Sequence, residues 1–253
     1  MKELSIIIPA YNEEKRIERT LNSYYNFFYK KLKNNFEIII VPNNCNDKTP
    51  EICKKFSSKN KNCIFYNIPY FVGKGGAVIE GFKKTKGKFI GFVDADMSTK
   101  PEEFYELYKK IDNYDGIIAS RWMKESVVSP KQPLIRRIAS RVFNILIRTL
   151  FGLKLKDTQC GAKMFKRQAL IKVIHRMVTT RWAFDVDLLY QLKRNGFIIK
   201  EIPTVWSDDT NSKLNVKKAS IEMFLAVSRL RLMYSPFKFI VKAYDCGMKR
   251  SMK

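Results

Sequence analysis

Five short apolar runs, most of them followed by residues on a helical period, confine this chain to one class of fold. Leu4-Ser-Ile-Ile-Ile-Pro9 reads as a buried strand, and Ile17, Leu21, Tyr24, Phe28 and Leu32 then mark one face of a helix. Phe36–Val41 is a second strand. Thr49 and Pro50 supply an N-cap and a first-turn proline for a short helix carrying Ile52, Cys53 and Phe56. Cys63–Ile68, Lys88–Asp94 and Gly116–Ser120 read as three further strands, with helices over Gly75–Thr85 and from Pro101 to near Asn113 between them. Strands alternating with helices build an α/β fold, a mostly parallel sheet with helices on both faces. Such sheets bind ligands beyond the carboxyl ends of their strands. Tyr11, Asn43, Asn44 and Asp94 all fall there.

After Ser120 the pattern changes. Pro130 and Pro133 flank a loop, and Leu134–Phe151 predicts a helix with a wide apolar face and four arginines, Arg136, Arg137, Arg141 and Arg148. Asp157-Thr-Gln-Cys-Gly161 is a polar turn, Ala162–Phe165 a strand and Arg167–Met177 a helix. Trp182–Leu189 begins another helix, with Asp185 and Asp187 in its first turn, where carboxylates are favoured. Phe197–Ile202 is the last strand. Val216–Met233 reads as an amphipathic helix bearing Met223, Phe224, Val227, Leu230 and Met233. The expected organisation is a domain over residues 1–210, in two halves (1–120 and 121–210), followed by a basic amphipathic segment over 211–253.

At 253 residues and 45% hydrophobic composition the chain can bury one sizeable core. Its 48 Lys and Arg against 24 Asp and Glu give a net charge of +24, which implies an anionic partner: nucleic acid, an anionic membrane or a phosphorylated substrate. A solvated basic surface is the plainer alternative. No RRM, KH or helix-turn-helix pattern is present, and aromatics do not interleave with the basic patches, which argues against nucleic acid. Five cysteines with no CxxC pair and no leader fit reduced thiols in a cytosolic protein. A single histidine, His175, nearly rules out His-based zinc sites and a Ser-His-Asp triad. No stretch approaches the roughly 18 apolar residues that span a bilayer, so the chain is expected to be soluble or to lie on a membrane surface.

Asp94-Ala-Asp96 closes the apolar run Phe89-Ile-Gly-Phe-Val93. Two carboxylates at the end of a buried strand are costly unless a cation meets them. Alternation along a strand puts both on one side, where a hard, oxygen-preferring Mg²⁺ or Mn²⁺ carrying substrate phosphates suits them. A solvated strand-end turn would account for the same string. The glycine-rich stretch Val72-Gly-Lys-Gly-Gly-Ala77 fails both common phosphate-loop templates. What remains is a turn opening a helix, with Lys74 and backbone N–H groups at its mouth, open to a diphosphate or to a purely structural role. Arg121, Arg136 and Arg137 suit forked phosphate recognition or ordinary surface charge equally.

With these pieces assembled, the chain resembles glycosyltransferase family 2, enzymes of the GT-A fold, and within it the dolichyl-phosphate β-glucosyltransferases and other polyprenyl-phosphate transferases. The matching stretches are IIIPAYNEEKRI (6–17), GKGGAVIEGF (73–82), FVDADMST (92–99), ASRW (119–122), RRIASRVFN (136–144), KDTQCGAKMF (156–165), RWAFDVDLLYQLKRNGF (181–197) and EIPTVW (201–206). They cover roughly residues 4–235 in the family's order.

The resemblance implies that Pro9, Ala10, Tyr11, Glu13, Asn43, Asn44, Lys74, Gly75, Asp94 and Ala95 bind the nucleotide sugar. It implies that Asp94 and Asp96, with Ser98, hold Mg²⁺ or Mn²⁺. Arg121 and Arg136 would clamp the donor diphosphate or the lipid phosphate; Gln159, Trp182, Asp185 and Asp187 would shape the sugar and acceptor side. Asp94, Asp96, Asp185 and Arg121 are the expected catalytic set. The implied donor is UDP-glucose and the implied acceptor dolichyl phosphate, used by a peripheral protein on the cytoplasmic face of a membrane with no nucleic-acid partner. A GDP-mannose or UDP-N-acetylhexosamine donor is the alternative. Where relatives carry Asp-Asp-Gly-Ser after the second strand, this chain has Pro42-Asn-Asn-Cys-Asn-Asp47, and Asp187 stands where relatives have Glu.

Overall fold

The computed structural model describes residues 2–130, 133–178, 183–207 and 216–241. Among them lie nine strands, β1 (Lys2–Ala10), β2 (Phe36–Pro42), β3 (Cys63–Phe65), β4 (Gly87–Phe92), β5 (Gly116–Ser120), β6 (Val127–Ser129), β7 (Lys163–Lys166), β8 (Ile199–Pro203) and β9 (Val205–Ser207). The α-helices are α1 (Ile17–Leu32), α2 (Thr49–Lys59), α3 (Gly73–Phe82), α4 (Pro101–Lys110), α5 (Leu134–Phe151), α6 (Arg167–Ile174), α7 (Phe184–Arg194) and α8 (Val216–Met233).

Seven strands form one sheet in the order β3-β2-β1-β4-β7-β5-β8, and all pairings are parallel except those of β7. β7 inserts antiparallel between β4 and β5, so the two halves expected on either side of residue 120 share one sheet. β6 and β9, absent from the sequence reading, pair in a separate two-stranded ribbon. At three residues each, they are too short to carry a periodic signal.

Alternation along the strands divides the core. Leu4, Ile6 and Ile8 face α1, α2 and α4 with Tyr24, Phe28, Cys53, Phe56 and Phe104. Ile7, Ile39 and Val41 face the other layer, built from α3, α5, α6 and α7 through Val78, Phe82, Ile147, Val173, Phe184 and Leu188. Helices therefore cover both faces, as the strand–helix alternation required.

Thr49 departs from its expected capping role. Its hydroxyl accepts the Glu13 N–H at 2.7 Å, while Asp47 Oδ1 accepts the Thr49 N–H at 3.0 Å. The side chain that tethers the β2–α2 loop also fixes the loop after β1. α8 buries Val227 and Leu230, yet Ile221, Phe224, Leu225 and Leu232 stay exposed. Its apolar residues thus lie on an inner and an uncovered side.

Candidate active site

The carboxyl ends of β1, β2 and β4 lie side by side at one edge of the parallel sheet, where such folds place their ligand crevice. Asp94 lies two residues beyond β4, and Met97 takes a left-handed backbone (φ 62°) that turns the chain back. α1 holds this turn from behind. Thr20 Oγ1 donates to the Ala95 carbonyl at 2.6 Å and Tyr24 Oη to the Thr99 carbonyl at 2.8 Å. Burial, then the nearby carboxylates of Asp94 and Asp96, push the Tyr24 phenol well above its usual range, so it stays a donor. Tyr24 reads in sequence as one of an apolar stripe, but its hydroxyl is a structural pin.

The Lys74 ammonium, at the start of α3, meets Asp94 Oδ1 at 2.5 Å. Burial opposes ionisation of Asp94, but Lys74, with Lys163 and Arg121 farther off, outweighs it and holds the carboxyl below its ordinary value. The same carboxylates, including Asp185, raise Lys74 against the penalty of its own burial. Asp96 accepts the Ser98 N–H on Oδ1 at 2.9 Å. Ser98 itself is buried, and its backbone also accepts the Ser207 N–H. No group of three His, Cys, Asp or Glu capable of holding a metal occurs among the described residues. The protein thus offers two neighbouring carboxylates, the number a Mg²⁺ ion accepts when substrate phosphates complete its shell. Glu13 stands close enough that Asp94 and Asp96 add to the upward push of burial on its carboxyl, while Arg16 grips it at 2.7 Å.

Two positions bring the second half of the chain to this point. Gly161 packs directly on Asp94: a Cβ there would fall 1.9 Å from Oδ2. Lys163, fully buried on β7, donates to Asp185 Oδ1 at 2.6 Å and to the Cys160 carbonyl at 2.6 Å. Both lie in the matching stretch 156–165, and Gly161 closes its polar turn, but the sequence assigns neither a role at the site. The signal for Lys163 was its charge inside the strand pattern Ala162-Lys-Met-Phe165.

The predicted site residues divide. Pro9, Ala10 and Ala95 are buried at these strand ends, and Tyr11 is half exposed there, with the Phe71 ring edge-on at 6.3 Å. Asn43 is buried; its Nδ2 donates to the Ala10 carbonyl at 3.1 Å, leaving Oδ1 without a partner. Asn44 is half-buried in a left-handed conformation. Gly75 is buried against Phe184, where a Cβ would fall 2.4 Å away, so close packing requires a glycine here.

Arg121 is not a free phosphate clamp. Its Nε and Nη2 donate to Asp157 at 2.7 and 3.0 Å, its backbone N–H adds a third bond, and its guanidinium lies 5.3 Å from the Trp206 ring centre. Burial resists ionisation of Asp157, but Arg121 prevails and lowers its carboxyl. Asp187 is likewise corrected: it is fully buried, accepting the Val178 N–H and the Tyr234 hydroxyl, so it latches the end of α8 instead of facing an acceptor. Arg136 sits half-buried in the first turn of α5, and Gln159 is half-buried beside the Asp157 turn. Trp182 lies outside the described residues.

Residues 5–174 match the family model described as Glycosyl transferase family 2. The chain is 32% identical over 243 residues to a dolichyl-phosphate beta-glucosyltransferase of Dictyostelium discoideum, covering 91% of this chain and 74% of that protein. It is 32% identical over 252 residues to the enzyme of that name from Saccharomyces cerevisiae, with 91% and 75% covered. Among solved structures it is similar to glucosyl-3-phosphoglycerate synthase from Mycobacterium tuberculosis, in complex with Mn²⁺, uridine diphosphate and phosphoglyceric acid. That similarity has a TM-score of 0.67 at 16% identity over 92% of this chain and 78% of the other, and shows the shared GT-A fold. With a family match across two thirds of its length and an acidic pair at the strand ends of a GT-A sheet, the chain belongs to glycosyl transferase family 2 and is a glycosyltransferase.

Proposed function

We propose that this glycosyltransferase moves glucose from UDP-glucose to the phosphate of dolichyl phosphate or a related polyprenyl phosphate, with inversion, giving a β-linked lipid-phosphate sugar. The observation that carries the reading is the Asp94–Asp96 pair at the strand ends, met by Lys74, in a chain whose relatives over nine-tenths of its length are named dolichyl-phosphate beta-glucosyltransferase.

Asn43 Oδ1, at the end of β2, has no protein partner. Its Nδ2 gives one hydrogen to the Ala10 carbonyl and keeps a second. As an acceptor it suits a base with a ring N–H, which uracil and guanine both carry, so the uridine donor does not rest on this residue. Tyr11, half exposed beside it, supplies an aromatic face for the base.

Asp96 and Asp94 fit a Mg²⁺ or Mn²⁺ ion, which when bound neutralises charge on the departing diphosphate. The Lys74 ammonium, held in place by Asp94, adds fixed positive charge where the leaving group becomes anionic. A phosphate monoester is largely ionised at neutral pH, its second pKa being about 6, so the acceptor needs no strong base. The chain's work is then positioning: Lys163 fixes Asp185 beside the crevice, and the Asp157–Arg121 pair shapes the acceptor side.

The acceptor's tail lies in a bilayer, and no described helix is long and apolar enough to cross one. Leu134, Ile135, Ile138, Val142 and Ile145 of α5 are exposed among its arginines, as are Phe224 and Leu225 of α8. This combination suits peripheral binding to an anionic surface on the cytoplasmic side.

The test incubates the purified protein with Mg²⁺, dolichyl phosphate and UDP-glucose, GDP-mannose or UDP-N-acetylglucosamine, and identifies the glycolipid. A glucolipid whose formation is nearly abolished by Asp96→Ala is expected. Transfer that persists in that variant without divalent metal would overturn the mechanism, and a mannolipid would overturn the donor.

A further inference from the structure

Away from the Asp94–Asp96 site, the ends of three helices border an open pocket of about 300 Å³ lined by Arg176, Gln191, Arg194, Asn195 and Tyr234. It sits at the far end of α7 from Asp185, roughly 13 Å along the helix at 1.5 Å per residue. Among the described residues no acidic side chain lines it. Asp187, the carboxylate packed behind Tyr234, is occupied by the Val178 N–H and the Tyr234 hydroxyl.

Both guanidinium groups are held in place without a carboxylate partner among the described residues. Arg176 Nη1 donates to Asn195 Oδ1 at 2.9 Å. Arg194 lies against the Tyr190 and Tyr234 rings, its Cζ 5.6 and 5.8 Å from their centres. The Arg176 backbone carbonyl accepts from Gln191 Nε2 at 3.4 Å, and the Tyr234 hydroxyl, which donates to Asp187, lies beside it, so the wall between them is fixed. By contrast Arg121 is spent on Asp157 and Arg16 on Glu13. Two planar, forked donors facing one cavity, with amide and phenol groups beside them, suit an oxyanion with several acceptor oxygens.

We propose that this cavity is a second anion site that binds a phosphate group, and that the phosphate belongs to a membrane lipid. The lipid source rests on the membrane reading given above. Tyr234 forms the cavity wall, and just beyond it Phe237, Phe239 and Ile240 are at least half exposed, with Lys238 among them. Apolar rings beside a phosphate-sized cationic cavity match a headgroup with its acyl region alongside. The competing account is that the two arginines merely offset the carbonyl ends of α6 and α7. That role needs charge but no forked geometry, so lysine would serve as well.

The experiment uses the full chain and three variants: Arg176→Gln with Arg194→Gln, Arg176→Lys with Arg194→Lys, and Lys54→Gln with Lys55→Gln as a charge-matched control on α2. Melting curves establish that each is folded. In the first arm, calorimetry at low salt measures inorganic phosphate and sn-glycerol 3-phosphate. The glutamine pair is expected to weaken binding about tenfold or more. The lysine pair should weaken it severalfold, and the α2 control should leave it unchanged. Binding equal to wild type in the glutamine pair, or an equal loss in the control, overturns the site; full retention in the lysine pair overturns the forked recognition.

In the second arm, the proteins are sedimented with phosphatidylcholine vesicles with or without phosphatidic acid. Loss of the phosphatidic-acid increment in the glutamine pair supports the lipid source; an unchanged increment overturns it. If wild type binds neither vesicle, the membrane reading fails, while the calorimetry still decides the cavity. Glucosyl transfer to a short-chain polyprenyl phosphate in detergent should be the same in all three variants.

Discussion

The Asp94 carboxylate rests directly on Gly161, so closely that a methyl group at residue 161 would stand 1.9 Å from Oδ2. One turn from the second half of the chain therefore sets where the first acid of the Asp94–Asp96 pair can lie. Gly161→Ala has to push that carboxylate away, and misplacement of a reacting group by about 1 Å costs on the order of a hundredfold. We expect kcat to fall by about that factor while far-ultraviolet circular dichroism and UDP-independent melting change little. A Gly161→Ala enzyme with wild-type turnover would show that Asp94 does not need this position.

Lys163 and Asp185 form an ion pair with the lysine wholly out of solvent. Removing one partner of such a pair strands the other, at a cost of about 3–5 kcal/mol. Lys163→Met should lose stability on that scale in urea unfolding, and adding Asp185→Leu should restore much of it. If the double variant is as unstable as the sum of the singles, the two side chains are not coupled.

Asp157 makes stability depend on pH with a definite sign. Its carboxyl is lowered in the folded state because Arg121 outweighs burial. The pair's contribution is therefore fully present above the unfolded value of about 3.9 and is lost as pH falls through the lower folded value. Unfolding free energies of wild type and Asp157→Asn should differ by a constant amount from pH 5 upward, about 3–5 kcal/mol for a broken buried pair. The gap should close below about pH 4. A gap that persisted undiminished at pH 2 would mean that Asp157 acts through something other than its charge.

Asn43 yields two effects of opposite sign. In the free protein its Oδ1 is buried and unpaired, and the Ala10 carbonyl keeps a second donor in the Asn43 backbone N–H at 2.9 Å. Asn43→Leu should leave the melting temperature unchanged or raise it, since an unsatisfied buried acceptor costs about 1–3 kcal/mol. The same variant should bind UDP about tenfold more weakly in a titration. Unaltered UDP affinity would remove Asn43 from the base site.

The strand at Gly116–Ser120 and the helix at Leu134–Phe151 match the sequence reading to the residue, and most other elements lie within a few residues of it. Hydrophobic periodicity is a local property, so each element announces itself in its own few residues. The acids at 94 and 96 were legible for a similar reason, as charges that break an apolar run. Lys163 was legible only in retrospect, because a lone lysine in a four-residue strand has no meaning until Asp185 is beside it. The partners of Arg121 and Asp187 were not legible, because a free side chain and a paired one have the same letter. Whether a charge faces a ligand or another residue depends on a partner far along the chain.

The alternating elements, the fold class and the family were readable from the chain alone, since they follow from local periodicity and from contiguous motifs. Which charges pair with one another came from the folded arrangement. It gave Arg121 to Asp157 and Lys163 to Asp185, set Lys74 and Gly161 against Asp94, and left Arg176 and Arg194 facing a cavity with no acid among the described residues. Electrostatic pairing and close packing act through space between residues that the chain order keeps apart, and the insertion of β7 between β4 and β5 is what brings several of them together.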